Sequence, residues 1–168
     1  MCAKIYENAQ KLFQLGQRRI GIAAFGLGNL GVRTIGSYIR EFESQNPNKV
    51  VSENSGMAEV VDELRRFFLR VYMETVAPIL ASALGRNFEQ LPPDKVPVLG
   101  LVVAGFPSDE YLSEVWEILI PVHKDPNSCI LRRGQGDLGS NWFAMYEPIF
   151  RYLKGFDRQT VEKLKLFV

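Results

Sequence analysis

The feature that most restricts the fold is a long amphipathic stripe in the first half of the chain. Val60, Val61, Leu64, Phe67, Phe68, Val71 and Tyr72 recur at helical spacing, with Asp62, Glu63, Arg65, Arg66 and Arg70 on the other side. A helix with so broad an apolar face must bury it against another layer. Pro78 ends or kinks this helix, because proline has no amide hydrogen to donate. Residues 96–106 (VPVLGLVVAGF) supply a candidate for the opposing layer. They form a nearly continuous apolar run, the pattern of a strand buried on both faces.

The remaining elements arrange themselves around these two. Residues 10–15 and 19–25 are apolar runs joined by Gly16-Gln17, which predicts an antiparallel hairpin. Val32, Ile35, Ile39 and Phe42 predict an amphipathic helix over 29–43, and the polar, breaker-rich stretch 44–56 predicts a loop. Pro92-Pro93 closes the loop after the long helix. Residues 115–122 predict a partner strand for 96–106, and 128–131 a further one. Gly134, Gly136 and Gly139 mark a turn, after which 141–154 and 160–167 predict two closing helices. Strands, two helices, strands, two helices: segregated blocks of this kind imply an α+β layered fold in one domain spanning 1–168.

Composition excludes several function classes. The 168 residues carry a net charge of +1, with Lys and Arg spread along the chain, so no basic patch for nucleic acid or an anionic membrane is expected. No uninterrupted apolar run reaches the roughly 18 residues of a membrane span, and no signal peptide opens the chain. Cys2 and Cys129 make no disulfide framework and point to reduced thiols in a cytoplasm. Cys129 is expected to pack as a small hydrophobe. The single His123 lies in a polar turn sequence without acidic or thiol neighbours, so no metal site and no cofactor are expected. Tyr72, Trp116 and Trp142 sit in apolar patterns and read as core or interface; Glu59, Asp62 and Glu63 read as solvated partners of Arg65 and Arg66.

One motif competes for a functional reading. Gly26-Leu27-Gly28-Asn29-Leu30-Gly31 is a literal G-x-G-x-x-G between a predicted strand and a predicted helix. In a dinucleotide-binding oxidoreductase the helix N-terminus would hold the pyrophosphate. Such a unit needs a second strand ending in an acid about 20 residues on, and 49–53 is the only candidate. In the other reading Gly26 and Gly28 serve a turn, and Gly31 permits close packing.

The order of short motifs resembles the proteasome-like family of N-terminal-nucleophile hydrolases. Lys11-Leu12-Phe13-Gln14-Leu15 resembles the family's lysine-led strand, and Ala24-Phe25-Gly26-Leu27 the step that ends its next strand. Residues 98–106 resemble the strand after the second helix. Asn141-Trp142, Glu147-Pro148-Ile149 and 151–155 resemble a helix of bacterial relatives. The resemblance implies a four-layer αββα sandwich, subunits assembled into homo-oligomeric rings, and peptide or protein substrates. Active members use an N-terminal Thr whose hydroxyl attacks while its amine serves as base. Carried over residue by residue, Lys11 would hold that amine unprotonated by like charge, and the Gly26 amide would stabilise the oxyanion. Ten residues precede Lys11 without a Thr-led strand pair, and the chain stops at Val168 before the family's last strand region. Cys2 would lead the chain after removal of Met1, but lies too near Lys11 to replace that pair. The resemblance therefore implies a fold incomplete at both termini and inactive as it stands, or a non-catalytic structural subunit.

Overall fold

A computed structural model describes residues 11–16, 19–45, 56–106, 112–121 and 129–137. All of them belong to the first of two compact units, Met1–Leu138 and Gly139–Val168. The expected helices over 141–154 and 160–167, with Trp142, lie outside the described residues, as do Cys2, His123 and Gly139.

The first elements are the expected hairpin, β1 (Leu12–Gln14) and β2 (Ile20–Gly26), with Leu12 opposite Ala23 and Gln14 opposite Gly21. Leu15 donates its amide hydrogen to the Ile20 carbonyl at 2.9 Å, and Gly16 turns away with φ 57°. The next residues depart from expectation. The predicted helix over 29–43 begins six residues late. Asn29–Leu30 (β3) and Arg33–Thr34 (β4) form a two-stranded hairpin instead. Gly31 holds φ 61° in its turn, and Val32 stands at the tip, fully exposed. Val32 therefore matches the helical spacing of Ile35 and Ile39 without sharing their helix.

Helix α1 (Ile35–Gln45) starts where Thr34 caps it, its Oγ1 accepting the Ser37 amide hydrogen at 3.3 Å. Arg33 braces the same turn, bonding Ser37 Oγ at 2.9 Å and Glu41 at 2.6 Å and stacking 4.3 Å over the Tyr38 ring. The helix runs two residues beyond its expected end, so the predicted loop 44–56 opens inside α1; residues 46–55 lie outside the described set. Helix α2 (Met57–Thr75) buries the whole predicted stripe, Val60, Val61, Leu64, Phe67, Phe68, Val71 and Tyr72. Each such side chain contributes about 1.5–3 kcal/mol by leaving water. Asp62 pairs with Arg65 at 2.8 Å and with Arg66 at 2.6 Å on the outer side, as the charge pattern implied. After the break at Val76, Pro78 stands in the first turn of α3 (Ala77–Leu84), which Gly85 closes at φ 62°. Residues 57–84 are long and apolar enough to cross a membrane by length and composition, which counting uninterrupted apolar runs had not suggested. Eight of α2's side chains are nonetheless buried, the apolar stripe among them.

Two short 3-10 turns, Phe88–Gln90 and Pro93–Lys95, lead into β5 (Leu99–Gly105), followed by β6 (Glu114–Ile120) and β7 (Cys129–Arg133). The five long strands form one sheet in the order β1-β2-β5-β6-β7, with every pair antiparallel. The architecture is α+β. Register places Ile22, Val103 and Trp116 side by side, and likewise Ala24, Leu101 and Ile118. These positions pack with the stripe of α2 and with Ile39 and Phe42 of α1 in one hydrophobic core. The other face differs from the expectation that β5 is buried on both sides. It carries Gly21 and Ala104, both exposed, and Val102, half-buried. On it Gly100 lies opposite Phe25, whose ring fills the space a Cβ would need.

Gly100→Ala should cost about 1–3 kcal/mol, and Phe25→Val in the same chain should recover part of the loss in urea titration. Tyr72 donates to the Pro97 carbonyl at 2.8 Å, and burial pushes its phenol up to about 12. The unfolded phenol ionises near its ordinary value of about 10, so the folded state retains the proton longer. Stability should therefore fall by about 2 kcal/mol as pH rises from 10 to 12. Chemical denaturation across that range should show the slope, flattened in Tyr72→Phe.

Candidate functional site

The two residues singled out by sequence stand at one end of the sheet on neighbouring strands. The Lys11 carbonyl accepts the Ala24 amide hydrogen at 2.8 Å, which places Lys11 opposite Ala24 and two positions from Gly26. Gly26 is the last residue of β2 and pairs with Leu99, the first of β5. Along β2, Ala24 turns its amide toward β1, while Leu27 turns its own toward β5 and donates to the Val98 carbonyl at 3.1 Å. Gly26 has the parity of Ala24, so its amide projects to the Lys11 side of the strand.

Position 26 is restricted by its backbone. It holds φ 76°, and a Cβ there would overlap the Val98 carbonyl oxygen. A side chain would therefore meet both the left-handed penalty and a fixed backbone atom. Lys11 and Gly26 are both exposed. Together they offer an ammonium and an amide hydrogen at one sheet end, groups that can polarise a carbonyl or hold a negatively charged oxygen. Neither is a nucleophile.

The glycine motif does not make the phosphate cradle that its spacing suggested. Gly26 closes a strand, Gly31 turns the β3–β4 hairpin, and the helix starts at Ile35, four residues after the last glycine. A dinucleotide fold needs parallel strands and a helix N-terminus directly after the glycines. Every long-strand pair among the described residues is antiparallel. Leu30 is buried instead, and its carbonyl accepts the Tyr38 hydroxyl at 3.3 Å, so the segment is a packed support. The acid-bearing stretch 49–53 lies outside the described residues.

Elsewhere one carboxylate is buried and paired. Glu117 on β6 is only 7% exposed and receives Arg132 Nε at 2.6 Å, a pair that sequence reading passed over. Its signal was a lone carboxylate within a strand of apolar residues. The register of β6 and β7 shifts between Val115 and Trp116, beside the position of Arg132. Cys129 packs against the core as expected, and burial pushes its thiol up despite the opposing pull of Arg65. Among the described residues no three His, Cys, Asp or Glu side chains converge as metal ligands.

Compared with known proteins, the chain matches no family model, no curated protein and no solved structure. The glycines themselves separate the two readings of this segment. Gly26→Ala should destabilise the protein by about 2–4 kcal/mol, from the left-handed backbone and the Val98 contact. Gly28→Ala meets open space and should stay within about 0.5 kcal/mol. Thermal unfolding of both variants checks the contrast. Equal losses would contradict this account of the turn.

Proposed function

We propose that the chain is a subunit of a proteasome-like N-terminal-nucleophile peptidase, in which Lys11 and Gly26 form one wall of the peptide-cleaving site. The observation that supports the reading is their juxtaposition on adjacent antiparallel strands, with the Gly26 amide on the Lys11 side. In that role the Gly26 amide would donate to the carbonyl oxygen as it becomes negative. The Lys11 ammonium would lower the proton affinity of a nearby amine acting as base. The attacking hydroxyl and amine belong to an N-terminal Thr in active family members, so Lys11 and Gly26 alone accelerate nothing.

The finer architecture of the proposal is a four-layer αββα sandwich. The small residues Gly21, Ala23 and Ala104 on the sheet face away from α1 and α2 would let a second sheet approach closely. The subunits would assemble into a homo-oligomeric ring in a cytoplasm, acting on unfolded peptide or protein chains.

Titration of the 168-residue chain with an unstructured peptide, followed through backbone amide resonances, tests the site. Resonances of Phe25, Gly26 and Leu27 should shift together and saturably. Lys11→Ala should weaken the effect while leaving the unfolding midpoint unchanged, since its side chain is exposed. Shifts that bypass Gly26, or none with peptide in excess, would sink the reading.

A further inference from the structure

A polar groove of about 450 Å³ lies between α1 and α2, lined by the buried Tyr38 and Val71 and by four charged side chains, Arg33, Glu41, Arg70 and Glu74. Its formal charges balance, but its ion pairing does not. Arg33 is engaged with Glu41 at 2.6 Å. Arg70 and Glu74, one turn apart on α2, make no ion pair among the described residues. A basic residue four positions before an acidic one is the weaker order for pairing along a helix.

A chain of hydrogen bonds also holds Arg70 away from Glu74. Arg33 donates to Glu41, Gln45 donates to the same carboxylate at 3.0 Å, and Arg70 Nη2 donates to Gln45 Oε1 at 3.3 Å. The chain runs from β4 across α1 to α2. The Arg70 guanidinium also lies 5.4 Å over the ring of Phe67, one turn before it, whereas Glu74 stands one turn after. A guanidinium has five N–H groups; among the described residues Arg70 uses one, and the Glu74 carboxylate accepts none.

The groove therefore presents one cation and one anion, both exposed and both without a counter-charge among the described residues. A simple anion at Arg70 would meet the negative charge of Glu74, and a simple cation at Glu74 would meet that of Arg70. A molecule carrying both charges side by side satisfies both. Positions four apart on a helix have Cβ atoms about 5–6 Å from each other, close enough to grip a carboxylate and an ammonium joined through one carbon. The guanidinium fork suits the carboxylate, which it can bind through two parallel N–H groups.

We propose that this groove binds a free α-amino acid, its carboxylate on Arg70 and its ammonium on Glu74, with Gln45 positioning the guanidinium. The site shares no residue with Lys11 and Gly26 and does not rest on the peptidase reading.

Calorimetric titration of the 168-residue chain with L-alanine, repeated while following backbone amide resonances, tests the proposal. Binding should saturate with a dissociation constant of about 1 mM, as expected of so small a ligand, and should shift Arg70 and Glu74. N-acetyl-L-alanine keeps only the carboxylate and L-alaninamide only the ammonium; each should bind about three- to tenfold more weakly. Arg70→Gln and Glu74→Gln should each lose a similar factor with the thermal midpoint unchanged, because both side chains are exposed. The absence of saturable binding at about tenfold above the expected constant would overturn the proposal. So would an affinity that neither variant changes. Equal binding of L-alanine and N-acetyl-L-alanine would overturn it in favour of a plain carboxylate site.

Discussion

The geometry of the candidate site rests on one close approach of backbone to backbone, Gly26 over the carbonyl of Val98. With no Cβ at position 26, β2 can end at φ 76° directly beside the start of β5, and the Leu27 amide can close onto the same carbonyl. That contact sets the register in which Ile22 faces Val103 and Ala24 faces Leu101. It also fixes which residues of β2 look toward the helices. The partner of Lys11 is set separately, by the bonds at the two ends of β1, Ala24 to Lys11 and Leu15 to Ile20. A shift of one residue against β5 would turn Ile20 and Ile22 to the opposite face.

The two faces of the sheet follow from the same register. Leu99, Leu101, Val103 and Ile118 fill the side toward α2, where its stripe supplies complementary bulk. The opposite side is built of small residues, a half-buried Val102 and a phenyl ring lying over Gly100. Glu117 is held there by Arg132, so the one buried carboxylate of the described residues is neutralised without leaving the sheet. A buried ion pair of this sort contributes little net stability, since desolvation offsets attraction. Removing Arg132 alone would leave an uncompensated charge.

Much of this was legible in the residues. The stripe from Val60 to Tyr72 is long, strongly periodic and charged on its reverse, and no other structure uses such a pattern economically. The hairpin of β1 and β2 and the partners of β5 were legible because short apolar runs were bounded by turn residues. The start of α1 was not. Val32 falls on the period of Ile35 and Ile39, and spacing cannot tell a hairpin tip from a helix. The informative signals were Thr34, a capping residue three positions before Ser37, and Gly31, which takes a left-handed turn. The same oversight gave the glycine motif its apparent phosphate-binding context. Once the helix begins at Ile35, that context is gone. The pairing of Lys11 with Gly26 was legible only as an ordered spacing. Their adjacency depends on the hydrogen bonds at both ends of β1, which no single motif contains.

Helices α2 and α3 show how similar composition leads to different outcomes. Both are rich in apolar residues, and by length and composition the stretch from Met57 to Leu84 would suit a lipid environment. In α2 the polar residues alternate with the stripe, so one face is spent on the sheet and the other on solvent and on the pairs of Asp62 with Arg65 and Arg66. Val76 interrupts the two helices, with Pro78 in the first turn of the second. In α3 Ala77 is buried and Leu80 packs partly against the core, while Ile79 and Leu84 remain exposed.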